Sequence, residues 1–135
     1  MTDAGTHVPL IANWQGSSPS GTVSDALIDF SDFMPTFAEL AMAELPADRL
    51  LDGQSFVNQI KGGQEQGRKW VYVQWEGKAW IRNRQWKLYD NGDLFDMHKD
   101  SAEKNPLSPE LDSETTGKIR KYLRDEMNKL EREEK

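Results

Sequence analysis

The sequence predicts an α+β fold: a four-stranded antiparallel sheet packed by a long C-terminal helix, preceded by an orphan strand and two helices from a larger α/β domain. Three observations support this prediction. Short runs rich in Trp, Tyr, Val and Ile follow one another in the second half of the chain, separated by turn-length segments. A final charged stretch repeats apolar residues at helical spacing. Near the N-terminus, one apolar run has no neighbouring strand pattern.

The orphan strand is predicted over Val8–Trp14, an almost uninterrupted apolar run. Such a run is typical of a strand buried on both faces inside a mostly parallel sheet. Parallel sheets are built from repeated strand–helix units, and no such unit precedes this run. We therefore expect the chain to open in the middle of a larger fold.

Two helices are predicted after a turn at Gln15–Gly21. Ser31 is a good N-cap for the first, which runs to about Ala43. Its apolar stripe comprises Phe33, Met34, Phe37, Leu40 and Ala41. A second, short helix follows Asp52–Ser55 and ends at Gly62-Gly63. The polar, Gly-rich segment 62–68 then marks a boundary, so we expect a first domain over residues 1–62 and a second over residues 63–135.

The antiparallel sheet is predicted from four runs: Trp70–Trp75, Lys78–Arg82, Trp86–Asp90 and Asp93–Met97. Their separators have the length of tight turns, and Asn91-Gly92 favours a type I′ hairpin. One face of such a meander must be covered. A long helix capped by Asp112 or Ser113 is the natural cover. Its apolar stripe comprises Ile119, Leu123, Met127 and Leu130.

Composition excludes several classes of function. The 135-residue chain has a net charge of -6, which argues against a general nucleic-acid binder because such proteins cluster Lys and Arg. No apolar run has the length of a membrane span, and no signal-peptide pattern is visible. The absence of cysteine excludes disulfides, thiolate metal sites and a cysteine nucleophile, and it leaves the localisation open.

Six segments of the chain resemble, in the same order, the C-terminal third of sulfatases, the alkaline-phosphatase-like hydrolases of sulfate esters. The segments are Asp3–Ile11 (Asp-Ala-Gly-Thr-His-Val-Pro-Leu-Ile), Gly21–Asp25, Ile28–Ala41, Asp52–Phe56, Ile81–Tyr89 and Leu94–Met97. The resemblance implies a large α/β N-terminal part and a small C-terminal subdomain made of a four-stranded sheet and a helix. Val8–Trp14 would be a late strand of the large sheet. An exported or periplasmic location is plausible for the intact family enzyme.

The resemblance also implies a catalytic formylglycine, matured from Cys or Ser in a Cys/Ser-x-Pro-x-Arg motif, and a divalent metal, usually Ca²⁺. Both belong to the N-terminal part of the family enzyme. Here the segment Ser17-Ser-Pro-Ser-Gly21 has Gly21 where the motif requires Arg. We therefore expect this chain to be inactive alone, with the N-terminal catalytic part as its partner and a sulfated substrate, carbohydrate included, for the intact enzyme.

His7 is the candidate substrate-binding residue, because its position follows an active-site loop in the family that the chain resembles. The alternative is a hydrogen bond within that loop, and a metal role for the nearby Asp3 is not assigned. Trp75 and Trp80 have two interpretations, stacking on sugar rings or, as we favour, packing. For the basic group of Arg82, Arg84 and Lys87, salt bridges are favoured over anion binding, with Asp90 or Asp96 as candidate partners of Arg82 and Arg84.

Three hypotheses remain open at this point. The leading one is a C-terminal portion of a sulfatase. The alternative is a stand-alone glycan- or protein-binding module derived from the same subdomain. A third is complementation, in which the chain docks on a separately encoded catalytic part.

Overall fold

The structure is a computed structural model that describes residues 2–63 and 67–133, with side chains up to residue 130. The chain divides into two compact units. One unit joins the residues up to Val8 with those from Trp70 onward, and we call it the sheet unit. The other spans Pro9–Lys69, and we call it the connecting unit.

The sheet unit contains the predicted antiparallel meander. Its strands are β1 (Val71–Trp75), β2 (Lys78–Arg82), β3 (Trp86–Tyr89) and β4 (Leu94–Asp96), and they lie in the order β1-β2-β3-β4. Each strand pairs with the next in antiparallel register. The prediction of a four-stranded sheet is therefore confirmed, and no strand end differs from the prediction by more than one residue.

The type I′ turn lies in a different hairpin from the one predicted. Glu76 and Gly77, between β1 and β2, both have positive φ angles of 49° and 73°, as a type I′ turn requires. In the β3–β4 hairpin, by contrast, only Gly92 has a positive φ. There the Gly92 N–H donates to the Tyr89 carbonyl and the Tyr89 N–H to Asp93, which closes a three-residue loop. The type I′ prediction for Asn91-Gly92 was wrong because one more residue enters that loop.

The long C-terminal helix, α4, spans Glu114–Glu133 and covers one face of the sheet. Ser113 is its N-cap, since its hydroxyl accepts a hydrogen bond from the Thr116 N–H at 3.2 Å. Leu123 and Met127 of the predicted stripe are fully buried in one core cluster with residues of three strands, Ile81, Leu88 and Leu94. Burying each such side chain contributes about 1.5–3 kcal/mol, so the sheet unit has a closed core of its own.

Arginines on α4 also attach the helix to the loops around the sheet. Arg120 bonds the carboxylate of Asp112, with Nε 2.6 Å from Oδ2, and the carbonyl of Leu107 at 2.9 Å. Arg124 donates to the carbonyls of Asp90 and Tyr89, at 3.0 and 3.2 Å. The bonds of Arg124 attach α4 to the start of the β3–β4 loop, where Asp90 lies outside the strands.

In the connecting unit, a 3₁₀ turn stands where the first helix was predicted to begin, and the helix ends before the predicted Ala43. A 3₁₀ turn over Phe30–Asp32 leads into α2 (Phe33–Ala41). Asp29, not Ser31, caps this start through a capping box with Asp32, while the Ser31 hydroxyl donates to Asp29 at 2.7 Å. The helix ends because Met42 adopts a left-handed conformation, with φ of 53°.

The second helix, α3 (Val57–Ile60), lies where the sequence predicts it. Buried polar contacts hold the connecting unit together: the Phe56 N–H donates to the Thr36 hydroxyl at 3.1 Å, and the Arg68 guanidinium pairs with the buried Asp32 carboxylate. Gly53 is required at its position, because a Cβ there would collide with the Ser31 carbonyl.

The predicted strand over Val8–Trp14 is not formed. These residues have no regular secondary structure, and Ile11 is 87% exposed. A central strand needs a hydrogen-bonded neighbour and a cover on each face, and the described part of the chain supplies neither to this run. Among the described residues, no helix is long and apolar enough to cross a membrane.

Candidate functional site

His7 lies at the end of a single helical turn, α1 (Asp3–Thr6), in the sheet unit. Its backbone N–H donates to the Asp3 carbonyl at 2.8 Å. The imidazole is 76% exposed, and its Nδ1 lies 4.0 Å from Asp3 Oδ2. The ring therefore faces solvent and is open to a ligand, and its predicted role in substrate binding stays a prediction.

Asp3, the acid closest to His7, is already paired with two cations. Its Oδ1 lies 3.0 Å from Lys87 Nζ, and its Oδ2 accepts from the Arg82 guanidinium. Its backbone N–H also donates to Glu103 Oε1 at 2.7 Å. These contacts explain the position of the Asp3 carboxylate without a metal ion.

Asp3 belongs to a buried group of polar side chains that we call the Lys87 cluster. Lys87 is fully buried, lies 2.9 Å from Glu103 Oε1, and sits over the Trp80 ring at 4.2 Å. The Tyr89 hydroxyl donates to the other oxygen of Glu103. Burial first, and then this hydrogen bond, raises the pKa of Tyr89 above its usual range, so the phenol remains a donor. The cluster comprises Asp3, Arg82, Lys87, Tyr89 and Glu103.

The register of the sheet places this cluster on the face opposite α4. Arg82 pairs with Lys87, and Lys87 pairs with Phe95, so these side chains share one face. Ile81 and Leu88 point to the other face, into the core under α4. The sheet is therefore covered on both sides, which the sequence did not predict.

The acids predicted to pair with the basic group have other partners. Asp90 accepts from the Ala79 N–H at 2.9 Å, and Asp96 accepts from the His98 N–H at 3.1 Å. Arg82 and Lys87 pair instead with Asp3 and Glu103. Salt bridging, the favoured interpretation, is confirmed for Arg82 and Lys87, but the partner predicted for Arg82 was wrong because its true partner, Asp3, is 79 residues away in sequence. One local signal existed: Lys87 lies in a strand otherwise made of Trp, Leu and Tyr.

The two tryptophans considered for sugar stacking differ in exposure. Trp80 is 3% exposed and contributes to the interior of the sheet unit, as the packing interpretation predicts. Trp75, at the end of β1 beside the type I′ turn, is 64% exposed. Only Trp75 of this pair therefore presents its ring to solvent.

The residues present do not fit a formylglycine or a calcium site. The chain has no cysteine, and Ser17 and Ser18 lie in a turn in which their N–H groups donate to the Trp14 carbonyl, both at 2.9 Å. Within residues 2–63 and 67–130, no three His, Asp or Glu side chains are grouped so that they could hold a metal ion. No catalytic step can be derived from these side chains.

Comparison with known proteins decides the family. The family model described as "N-sulphoglucosamine sulphohydrolase, C-terminal" matches residues 1–133. The chain belongs to this family of sulfatase C-terminal domains. The resemblance read from the ordered segments is thereby confirmed.

The curated relatives are sulfatases that are much longer than the chain. Arylsulfatase D of Homo sapiens is 27% identical over 104 residues, a match that covers 77% of this chain and 17% of the relative. The ulvan-active sulfatase of Formosa agariphila is 36% identical over 72 residues, covering 53% of the chain and 14% of the relative. The chain thus spans less than a fifth of either relative.

Solved structures show the same fold. A protein of Bacteroides thetaiotaomicron assigned to the sulfatases aligns with a TM-score of 0.56 and 25% identity, over 73% of this chain and 24% of that one. A second structure, solved with its substrate D-glucosamine-2-N,6-O-disulfate, aligns with a TM-score of 0.58 and 24% identity, over 73% of this chain and 23% of that one. The α+β fold class is therefore confirmed.

Proposed function

We propose that the chain acts as the C-terminal portion of a sulfate-ester hydrolase and depends on an N-terminal catalytic part for its chemistry. In this proposal residues 1–62 complete the α/β core of the enzyme, and residues 63–135 form its C-terminal subdomain. One observation carries the proposal: most of the exposed large apolar side chains of the described residues lie in the connecting unit, while the sheet unit has a closed core. The exposed side chains of the connecting unit include Leu10, Ile11, Trp14, Phe30, Met34, Phe37, Leu40 and Met42.

The distribution of these side chains indicates a missing cover. α2 buries Pro35 and Thr36 but leaves Met34, Phe37 and Leu40 exposed. A concentration of exposed apolar side chains is typical of a surface that contacts another protein surface. We assign that surface to the large sheet of the catalytic part, in which Val8–Trp14 would gain its neighbouring strands.

The proposed chemistry comes from outside the described residues. The catalytic part would supply the formylglycine nucleophile and the Ca²⁺ ion that the family resemblance implies. The proposed substrate is a sulfated carbohydrate, supported by the relative whose substrate is D-glucosamine-2-N,6-O-disulfate. From this chain, His7 would contribute a contact to that substrate, since its ring is exposed.

The test is an assay of the chain alone with a chromogenic aryl sulfate and Ca²⁺. We expect no turnover, because the described residues offer neither the nucleophile nor the metal ligands. A complete sulfatase relative, assayed in parallel, confirms that the conditions support the reaction. Turnover by the purified chain at a rate proportional to its concentration would overturn the proposal.

The alternative is a stand-alone binding module, and the exposed ring of Trp75 is the observation that favours it. An exposed aromatic ring beside a turn suits stacking on a sugar. This alternative predicts that the chain alone binds a sulfated oligosaccharide in a calorimetric titration, and that Trp75→Ala abolishes the binding. The sulfatase proposal predicts no measurable heat with either protein.

A further inference from the structure

The segment that carries His7 has no apolar anchor. α1 consists of four residues, none of them buried. A helix of this length is not stable by itself, because nucleation costs more than its few hydrogen bonds return. Whatever fixes His7 in space must therefore be polar.

Asp3 supplies that polar anchor through both its backbone and its side chain. The N–H bonds Glu103, and the carboxylate bonds Lys87 and Arg82. These partners are distant in sequence, with Glu103 100 residues away and Lys87 84 residues away. A carboxylate that is fixed by two cations on neighbouring strands has little freedom to move.

The partners of Asp3 are themselves held in place. Lys87 is fully buried between two carboxylates and above the Trp80 ring. Glu103 adopts a left-handed conformation with φ of 53°, which a non-glycine residue keeps only when its surroundings hold it there. Two cations face two carboxylates, so the cluster is balanced in charge. It provides a rigid base on the sheet.

His7 follows this anchor by a single turn of helix. Its N–H bonds the Asp3 carbonyl at 2.8 Å, so the position of Asp3 sets the position of the His7 backbone. We propose that Asp3, held by Arg82 and Lys87, is a positioning residue that presents the His7 imidazole to the substrate. The contact of His7 with substrate rests on the proposed function, whereas the anchoring of His7 through Asp3 is a property of this chain alone.

Amide hydrogen exchange on the complete ¹⁵N-labelled chain tests the anchoring without any activity. Asp3→Asn removes the charge that Arg82 and Lys87 hold. Asp125→Asn makes the same change of charge on the exposed face of α4 and is the matched control. The amides of Ile81 and Leu88 report on the sheet itself. The chain has 2 histidines, so the ring signal of His98 serves as an internal reference for that of His7.

We expect the His7 amide to exchange about tenfold faster in Asp3→Asn, since local opening then costs less. The His7 ring signal should move while that of His98 stays, and Asp125→Asn should change neither. Arg82→Gln, which leaves Lys87 paired with both carboxylates, should give a smaller change in the same direction. Should Asp3→Asn not fold, the same comparison is made in Arg82→Gln.

Two results would overturn the proposal. One is a His7 amide that exchanges at the wild-type rate in the folded variant. The other is an equal acceleration at His7, Ile81 and Leu88, which would mean that the cluster holds the sheet rather than the segment. Neither result bears on whether the chain belongs to a functioning sulfatase, which the turnover assay addresses separately.

Discussion

At the scale of single residues, the ion pairs of Lys87 are the clearest example of contacts that could not be predicted from the sequence. Its carboxylate partners lie 84 and 16 residues away, and one of them, Glu103, has a left-handed backbone conformation. Removing one partner from such a buried pair typically costs about 3–5 kcal/mol. No periodicity in the sequence encodes that geometry, and the only local sign was a lysine among apolar strand residues.

Glu76 has a left-handed backbone conformation, which is unfavourable for a glutamate. It takes φ of 49° in the β1–β2 turn, and at this position asparagine is preferred. We expect Glu76→Asn to raise the free energy of unfolding by about 0.5–1 kcal/mol, because asparagine tolerates the left-handed region at lower cost. Urea unfolding followed by tryptophan fluorescence measures the change.

Glu76→Gln is the matched control for this prediction. It removes the same charge but keeps the conformational cost, so its unfolding midpoint should remain close to that of the wild type. If Glu76→Gln stabilised the chain as much as Glu76→Asn, the gain would come from charge and not from the backbone.

At the scale of elements, the predictions succeeded where the determining interactions are local. The strands and α4 were predicted correctly because the patterns that indicate them are local in sequence: strand-like runs, turn-length separators and an apolar stripe at helical spacing. The strand predicted over Val8–Trp14 is not formed, because a strand needs a hydrogen-bonded neighbour and the described part of the chain supplies none to this run. The cap lies at Asp29 and not at the predicted Ser31, because Asp29 and Asp32 form a capping box at the 3₁₀ turn that precedes α2.

Arg120 attaches α4 to the loops around the sheet through several hydrogen bonds. It bonds the Asp112 carboxylate and the carbonyls of Leu107 and Gly92, and it lowers the pKa of Asp112 through the first of these bonds. We expect Arg120→Met to reduce the free energy of unfolding by about 2–3 kcal/mol, because charge-assisted bonds are lost and their acceptors remain. Urea unfolding monitored by circular dichroism measures the loss.

Lys121→Met provides the comparison for the Arg120 variant. Lys121 is the exposed neighbour on the same helix, and its replacement should change stability by less than about 0.5 kcal/mol. Equal losses in the two variants would contradict the role given to Arg120 and would indicate a general effect of charge on α4.

At the scale of the whole molecule, the two units differ in how complete they are. The sheet unit has a closed core and a second covered face, and this architecture agrees with the sulfatase family match. The connecting unit leaves much of its apolar surface open. Both the fold class and the family could be predicted from the sequence, because the six sulfatase-like segments occur in it in the same order although the catalytic motif does not. It placed His7 beside Asp3 but did not predict that Asp3 is anchored to the sheet.

In the proposed enzyme, the open surface of the connecting unit receives the catalytic part. The most direct test is co-purification of the tagged chain with the N-terminal catalytic portion of a sulfatase relative, ended where its match to this chain begins. Ile11→Asp alters a side chain that is 87% exposed in the connecting unit, and Leu111→Asp alters one that is 75% exposed in the sheet unit. We predict an equimolar complex for the wild type and Leu111→Asp, and loss of that complex for Ile11→Asp. Equal binding by both variants, or no complex with the wild type, would contradict the claim.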